Sequence, residues 1–326
     1  MTTLAIGPRT AAPSWEWVGR GLAGELATYM NVATFDDFAA PPAADITVVV
    51  KRRPPAAFVA AVKARGGRMV YAPIDAYYGS AEIAEDSVAL RGCDLVLLHS
   101  EALRPHIAPY CRDMVIIEHH GRFSLATLAD YKPTGFLLWI GACEHVPHLV
   151  QWLAAHPVSS EVRILTDLKS KRGRIAAHFD AHRLGLRLDF GEHAINGHPA
   201  FQWSEDAQAE LMRDCRAAID IKGTSFNQAT KPPTKAQQFV ASGIPFGCNP
   251  DSSVAAYFRE HGFDVADAAD ETRLTSPRYF AETRAYAPRL RQATTIEAVG
   301  RSVLAALQPL LDHRNERGKS AAVRVG

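Results

Sequence analysis

Residues 219–262 read IDIKGTSFNQATKPPTKAQQFVASGIPFGCNPDSSVAAYFREHG. Residues 217–221 form a short apolar run of strand length, and a polar loop follows through residue 233. Thr234 is placed to cap a helix, with Gln237 three residues on to complete a capping box. Ala236, Phe239 and Val240 make the buried face of that helix, and Gly243 ends it in the left-handed conformation glycine tolerates. Residues 244–248 are a second apolar run, Asn249-Pro250 turns the chain, and Asp251 or Ser252 caps another helix that stops at Gly262. The unit is strand, loop, helix, strand, loop, helix. Loops leaving the carboxyl ends of parallel strands meet at one sheet edge, beside helix N-termini whose unpaired N–H groups and dipoles favour anions. Lys222, Lys231 and Lys235 add charge to that edge, and Asp220 is the only acidic residue between positions 220 and 250. One lysine beside a helix is ordinarily a solvated side chain. Three around one edge, with Ser252 and Ser253 at the next helix start, suit a diphosphate.

The rest of the chain repeats the alternation. In the amino-terminal half, apolar runs at 4–6, 32–35, 46–50, 68–72, 94–99 and 114–117 read as strands, with helical stretches at 55–64 and 80–90. Such alternation implies an α/β fold with parallel sheets covered on both faces. A helix capped by Ser14 carries Val18, Leu22, Leu26 and Tyr29 at helical spacing, and contains Gly19, Gly21 and Gly24 as a literal G-x-G-x-x-G. That dinucleotide fingerprint requires its first glycine directly after a strand, and here about a dozen residues intervene, so an NAD-dependent dehydrogenase ranks last. Residues 123–134 are the linker to a second alternating series. It opens with the strand 135–141 and continues through a helix from Pro147, a strand at 162–165, another at 186–190 and a helix capped by Ser204. Helical pattern returns over 283–311, and the polar tail from Asn315 reads as frayed.

At 326 residues the chain holds two domains of ordinary size. Thirty-six basic against 35 acidic residues leave it near neutral, which argues against nucleic-acid binding. Five cysteines without paired spacing favour a reducing, cytoplasmic setting without disulfides or a zinc site, and Cys248 reads as core filler. No apolar run approaches the length of a membrane span; peripheral contact with a membrane stays open, although no clear basic amphipathic helix announces it. Arg163, Lys169, Lys171, Arg172 and Arg174 surround Asp167, by default as a solvated loop.

The run KPPTKAQQFVASGIPF resembles the donor-binding segment of glycosyltransferases of GT-B architecture, specifically the family 4-like pattern in which a lysine precedes a small-residue helix turn and a Gly-x-Pro. Lys235, Gly243 and Pro245 match; the Glu-x7-Glu of many retaining members is replaced by Thr230 and Gln238. The run from Cys93 to Phe123 resembles the end of the amino-terminal domain of these enzymes. The resemblance implies two Rossmann-like domains facing a cleft. Residues 1–130 would carry the acceptor, 131–285 the nucleotide-sugar donor, and 286–326 a helix crossing back to the amino domain and a tail. It implies transfer of a sugar from a nucleotide diphosphate donor to a glycan, lipid or small-molecule acceptor hydroxyl. No metal or other cofactor is needed if lysines and N–H groups stabilise the leaving diphosphate. Donor contacts would come from Gly141, Lys222, Lys231, Lys235, Gln238, Ser252 and Ser253. Asp75, His119 or His120, at the carboxyl ends of amino-domain strands, is the candidate general base, a capping or loop role being equally consistent with each. A sugar-nucleotide epimerase and a catalytically silent scaffold of the same fold stay open.

Overall fold

The computed structural model describes residues 2–12, 14–121 and 125–323. The chain forms two units: Met1–His120 with Ser225–Pro232 and Ala293–Gly326, and Gly121–Thr224 with Pro233–Gln292.

In chain order the first unit begins with β1 (Thr3–Gly7), α1 (Gly21–Leu26), β2 (Asn31–Thr34), β3 (Ile46–Val50), α2 (Ala56–Ala64) and β4 (Arg68–Ala72). It continues through α3 (Ser80–Glu85), α4 (Ser87–Gly92), β5 (Leu95–Leu98), α5 (Arg104–Ile107) and β6 (Met114–Ile116). Its strands are all parallel, in the order β2-β1-β3-β4-β5-β6. Strand β3, ITVVV, is buried at every position because both faces of the sheet are covered. Alternate residues separate accordingly: Leu4, Ile6, Val48 and Val70 pack with Leu22 and Leu26 of α1, whereas Val49, Met69, Tyr71 and Val96 pack with Phe58 and Val62 of α2.

The chain then forms β7 (Leu137–Ile140), α6 (Val146–Ala155), β8 (Val162–Thr166), α7 (Lys171–Arg183), β9 (Ala194–Ile195), β10 (His198–Gln202), α8 (Glu205–Asp214) and β11 (Ala217–Asp220). After α9 (Phe226–Ala229) come α10 (Thr234–Ala241), β12 (Phe246–Cys248), α11 (Ser253–Glu260), β13 (Ala266–Asp267), α12 (Glu271–Leu274), α13 (Pro277–Ala293) and α14 (Ile296–Val323). The second sheet has the order β13-β12-β11-β7-β8-β10-β9, parallel except for β9 against β10. It starts at β7, grows one way through β8 and β10, and the other way through β11, β12 and β13. The step between β7 and β11 is therefore the topological switch point of this sheet. Helices α9 and α14 belong to the first unit, where Val299, Val303 and Leu307 of α14 close the core over α1.

Several local expectations change. Thr234 is the first residue of α10 and Pro233 takes the cap position, so the hydroxyl does not cap; Gln237 instead donates to the Tyr257 hydroxyl at 2.9 Å. Ser14 is helical and its side chain caps nothing, the helix opening with a π-helical turn over Trp15–Arg20. No strand covers 186–190, where Phe190 makes a single bridge to Ile195. The hairpin lies just beyond, turning at Asn196 and Gly197, both with positive φ (50° and 81°). The helix expected over 80–90 breaks into α3 and α4 at Asp86, whose carboxylate is held by Arg53 and the Tyr77 hydroxyl. The stretch from Asn315 is helical to Val323 rather than frayed. The linker is pinned to the C-terminus of α10 by Ser242, which bonds the Leu125 and Ala129 N–H groups, and by Arg291, which donates to the Leu125, Ala126 and Ala241 carbonyls. Its Phe123, and Pro13 before the first helix, lie outside the described residues.

Candidate functional site

In the second unit the carboxyl ends of β7, β11 and β12 carry the candidate donor residues. Lys235, in the first turn of α10, spans to the last residue of β7, where its Nζ donates to the Ile140 carbonyl at 2.9 Å and lies 6.0 Å from the Trp139 ring centre. The lysine is thereby held across the switch point between β7 and α10. Gly141 follows, and a Cβ there would lie 2.1 Å from the nearest Trp139 ring atom, so glycine lets that buried ring fold over the strand end. Lys222 and Asp220, both largely buried, form an ion pair at 2.9 Å after β11. Asn249, after β12, accepts the Lys222 N–H through Oδ1 at 2.8 Å and ties the two strand ends together. Ser252 caps α11, accepting from the Ala255 N–H at 3.2 Å and donating to the Asn249 carbonyl at 2.7 Å. Ser253 is the first residue of that helix. The positive end of α11 therefore opens beside the Lys222 turn. Cys248 is buried, and burial pushes its thiol up to about 12, so it is inert filler.

Gln238 is buried, and its Oε1 accepts from Gln208 Nε2 at 3.3 Å, a pairing inside the second unit. Thr230 and Lys231 lie in Ser225–Pro232, which belongs to the first unit. Thr230 donates to the Phe226 carbonyl at 2.9 Å. This segment is anchored by Phe226, whose ring meets His106 edge-on at 4.8 Å, and by Asn227, which donates to the Tyr77 carbonyl. The two positions of the Glu-x7-Glu spacing thus fall in different units.

The first unit holds a hollow lined by Asp75, Tyr77, His99, Ser100, Thr230 and Pro232, among others. It encloses about 10 Å³, room for one water or one hydroxyl group. Asp75 follows β4 in a left-handed conformation (φ 48°), which aspartate adopts more readily than most side chains, and this places a partly exposed carboxylate at the rim. His99 ends β5. Its Nδ1–H donates to the Ile117 carbonyl at 3.0 Å, which leaves Nε2 with the lone pair and, among the described residues, without a hydrogen-bond partner. Burial, then the neighbouring His119, hold the His99 pKa well below the usual histidine range, against the opposing pull of the Ile117 carbonyl and the Asp75 carboxylate.

His119 is buried, with ring centres 4.4 Å from His99 and 6.2 Å from Trp17. Burial, with His120 adding to it, lowers its pKa to about 3. It stays neutral at pH 7 and is too weak to take up a proton there. His120 approaches the start of α1: a Cβ on Gly21 would come within 2.6 Å of its Nε2. A Cβ on Gly19 would enter the Trp15 ring at 2.0 Å, while one on Gly24 would meet nothing within 4 Å. The G-x-G-x-x-G thus sits within helical turns, where two of its glycines admit aromatic rings, and it forms no dinucleotide fingerprint.

Two residues of this picture, Asn249 and Gln208, escape the sequence reading as site members, while His99 is legible there only as a polar residue at a strand end. The Asn-Pro dipeptide marked a turn after β12 but not the hydrogen bond that Asn249 makes back to β11. Among the described residues no group of three or more His, Cys, Asp or Glu is arranged to hold a metal ion, and no helix is long and apolar enough to cross a membrane.

No family model matches the chain, and no curated protein matches it in sequence. Solved structures do match in fold. The chain resembles HepE of Anabaena in complex with UDP, at 12% identity over 95% of this chain and 100% of that one, with a TM-score of 0.61. It also resembles AviGT4, a glycosyltransferase involved in avilamycin A biosynthesis, at 11% identity over 96% and 99%, with a TM-score of 0.56. A protein from Listeria monocytogenes assigned as a UDP-N-acetylglucosamine 2-epimerase matches at 9% identity over 95% and 96%, with a TM-score of 0.50. The chain has the GT-B fold, built of two Rossmann-like α/β units.

Proposed function

We propose that this protein is a glycosyltransferase that moves a sugar from a nucleoside diphosphate donor to an acceptor hydroxyl, the second unit binding the donor and the first the acceptor. The observation that carries the proposal is the convergence of Lys235, Lys222 and the capped start of α11 on the strand ends flanking the β7/β11 switch point. Cations and N–H groups at that place suit a diphosphate. HepE, of similar fold and length, is described in complex with UDP and with UDP and glucose, which supports the same class of ligand here.

In the transfer, the acceptor oxygen bonds to the anomeric carbon as its proton passes to a base and the bond to the diphosphate oxygen breaks. Negative charge grows on the leaving diphosphate, where Lys235 and the α11 N–H groups meet it; Lys222, already offset by Asp220, contributes less. With these groups supplying the charge the step needs no metal, and turnover is expected to survive chelation. Asp75 is the favoured base, because its carboxylate lies at the rim of a hollow sized for one hydroxyl while His119 is too weak. Asp75→Asn is expected to lose turnover and keep nucleotide affinity.

Thermal unfolding with UDP, GDP, ADP and dTDP tests the donor site. A ligand at about 100 times its Kd adds roughly 2.7 kcal/mol, a rise of several degrees. One diphosphate is expected to give that rise, and Lys235→Ala to abolish it. A second reading, epimerisation of a sugar nucleotide, is favoured by the likeness to the Listeria protein; it predicts turnover with no acceptor present.

A further inference from the structure

We propose that the outer face of α7 is a docking surface for an anionic lipid bilayer. The helix is built inside out. Its buried positions are Gly173, Ala177 and Ala181. The packing there is close, since a Cβ on Gly173 would come within 3.0 Å of Ser170 Oγ and 3.2 Å of Cys143 Cβ. The large apolar side chains face the other way, with Ile175 71% and Phe179 64% exposed. At helical spacing Arg172, Ile175, Phe179, His182 and Arg183 share one face, opposite the glycine and alanines.

Four basic residues, Lys171, Arg172, Arg174 and Arg183, stand on this helix against the single acidic Asp180. None of the four forms an ion pair among the described residues. Arg183 instead lies over the Phe179 ring at 5.9 Å, beside the apolar pair. Arg174 lies over the Phe190 ring at 4.7 Å, away from this face, so the exposed apolar pair is flanked by Arg172 and Arg183, a combination that suits an interaction site. The charge selects the occupant. Two copies of the face would bring like charges together over an apolar area far below the roughly 800 Å² per partner of a stable interface. An anionic bilayer satisfies both features, with headgroups meeting the arginines and the interfacial region receiving Ile175 and Phe179.

The test is sedimentation of the full chain with phosphatidylcholine vesicles, with and without phosphatidylglycerol. Wild type is expected to bind only the phosphatidylglycerol vesicles and to be released by salt. Each basic residue near such a surface strengthens binding about fivefold, so Arg172→Ala/Arg183→Ala is expected to lose roughly 25-fold. Ile175→Ser/Phe179→Ser is expected to lose binding with its melting temperature unchanged. Wild type remaining in the supernatant with anionic vesicles, or both double variants binding as wild type does, would overturn the proposal. So would a wild-type dimer in sedimentation velocity that the serine variant dissolves, with no vesicle binding.

Discussion

Acid should loosen the first unit through His119, and the size of the effect follows from its surroundings. The folded chain keeps this imidazole neutral down to about pH 3, because ionising it would bury a charge beside His120. The unfolded chain takes up a proton near pH 6.5. Above pH 6.5 both states are neutral and the histidine is silent. Between 6.5 and 3 only the unfolded state is protonated, so each pH unit of acidification costs the fold about 1.4 kcal/mol. From pH 6.5, where the unfolded imidazole is half protonated, to pH 4.5 the loss is about 2.3 kcal/mol, roughly a 50-fold fall in the folding equilibrium constant. His99, its pKa also depressed by burial, acts in the same direction. Hydrogen exchange of the β5 peptide, corrected for intrinsic rates, reports opening of this unit at each pH. Carboxylates titrate in the same range, so the comparison is with His119→Gln, which is expected to retain about 50-fold more of its pH 6.5 protection at pH 4.5 than wild type does. Parallel pH profiles for the two proteins would show that His119 protonates freely in the folded state, and would refute the account of its burial.

Asp220→Asn leaves the Lys222 ammonium buried without its carboxylate and is expected to cost about 3 kcal/mol in urea unfolding; Asp220→Asn/Lys222→Met should recover most of it. Gly19→Ala is expected to destabilise by about 1–3 kcal/mol because the Trp15 ring occupies the space, whereas Gly24→Ala meets open space and should stabilise its helix by up to about 1 kcal/mol. Melting temperatures of the two variants should move in opposite directions. Cys248 is expected to ignore a thiol reagent at pH 8 in the native protein and to react fully after denaturation, as a pKa near 12 requires.

Much of the architecture was legible because buried parallel strands declare themselves as apolar runs. ITVVV and RMVYA were bounded to the residue, and the strands after Gly135 and before Lys222 to within one or two. The hairpin β9–β10 was not found, since its strands are short and half-exposed, although Asn196-Gly197 is the strongest turn signal for such a pair. The capping box at Thr234 failed by one residue, because Pro233 already serves as the cap and shifts the hydroxyl into the first turn. Lys222, Lys235 and Ser252 could be placed at one sheet edge by counting strands and helices. Asp220 stood two residues from Lys222, but only the structure shows the two closing an ion pair, and the assignment of Thr230 and Gln238 to different units depends on contacts distant in sequence that leave no local trace. The outward face of α7 is hidden for another reason: the basic cluster from Arg163 to Arg174 reads as a solvated loop, whereas Lys171, Arg172 and Arg174 lie in a helix whose close packing at Gly173 turns Ile175 and Phe179 out.

The first unit is assembled from three separate stretches of chain, and the last of them is made after the whole of the second unit. The side chains that cover Leu22 and Leu26 of α1, namely Val299, Val303 and Leu307, follow them by some 270 residues. The second unit, whose segments all lie before residue 293, can close first. If folding follows synthesis, the core over α1 therefore stays uncovered until α14 is made, after the second unit is complete.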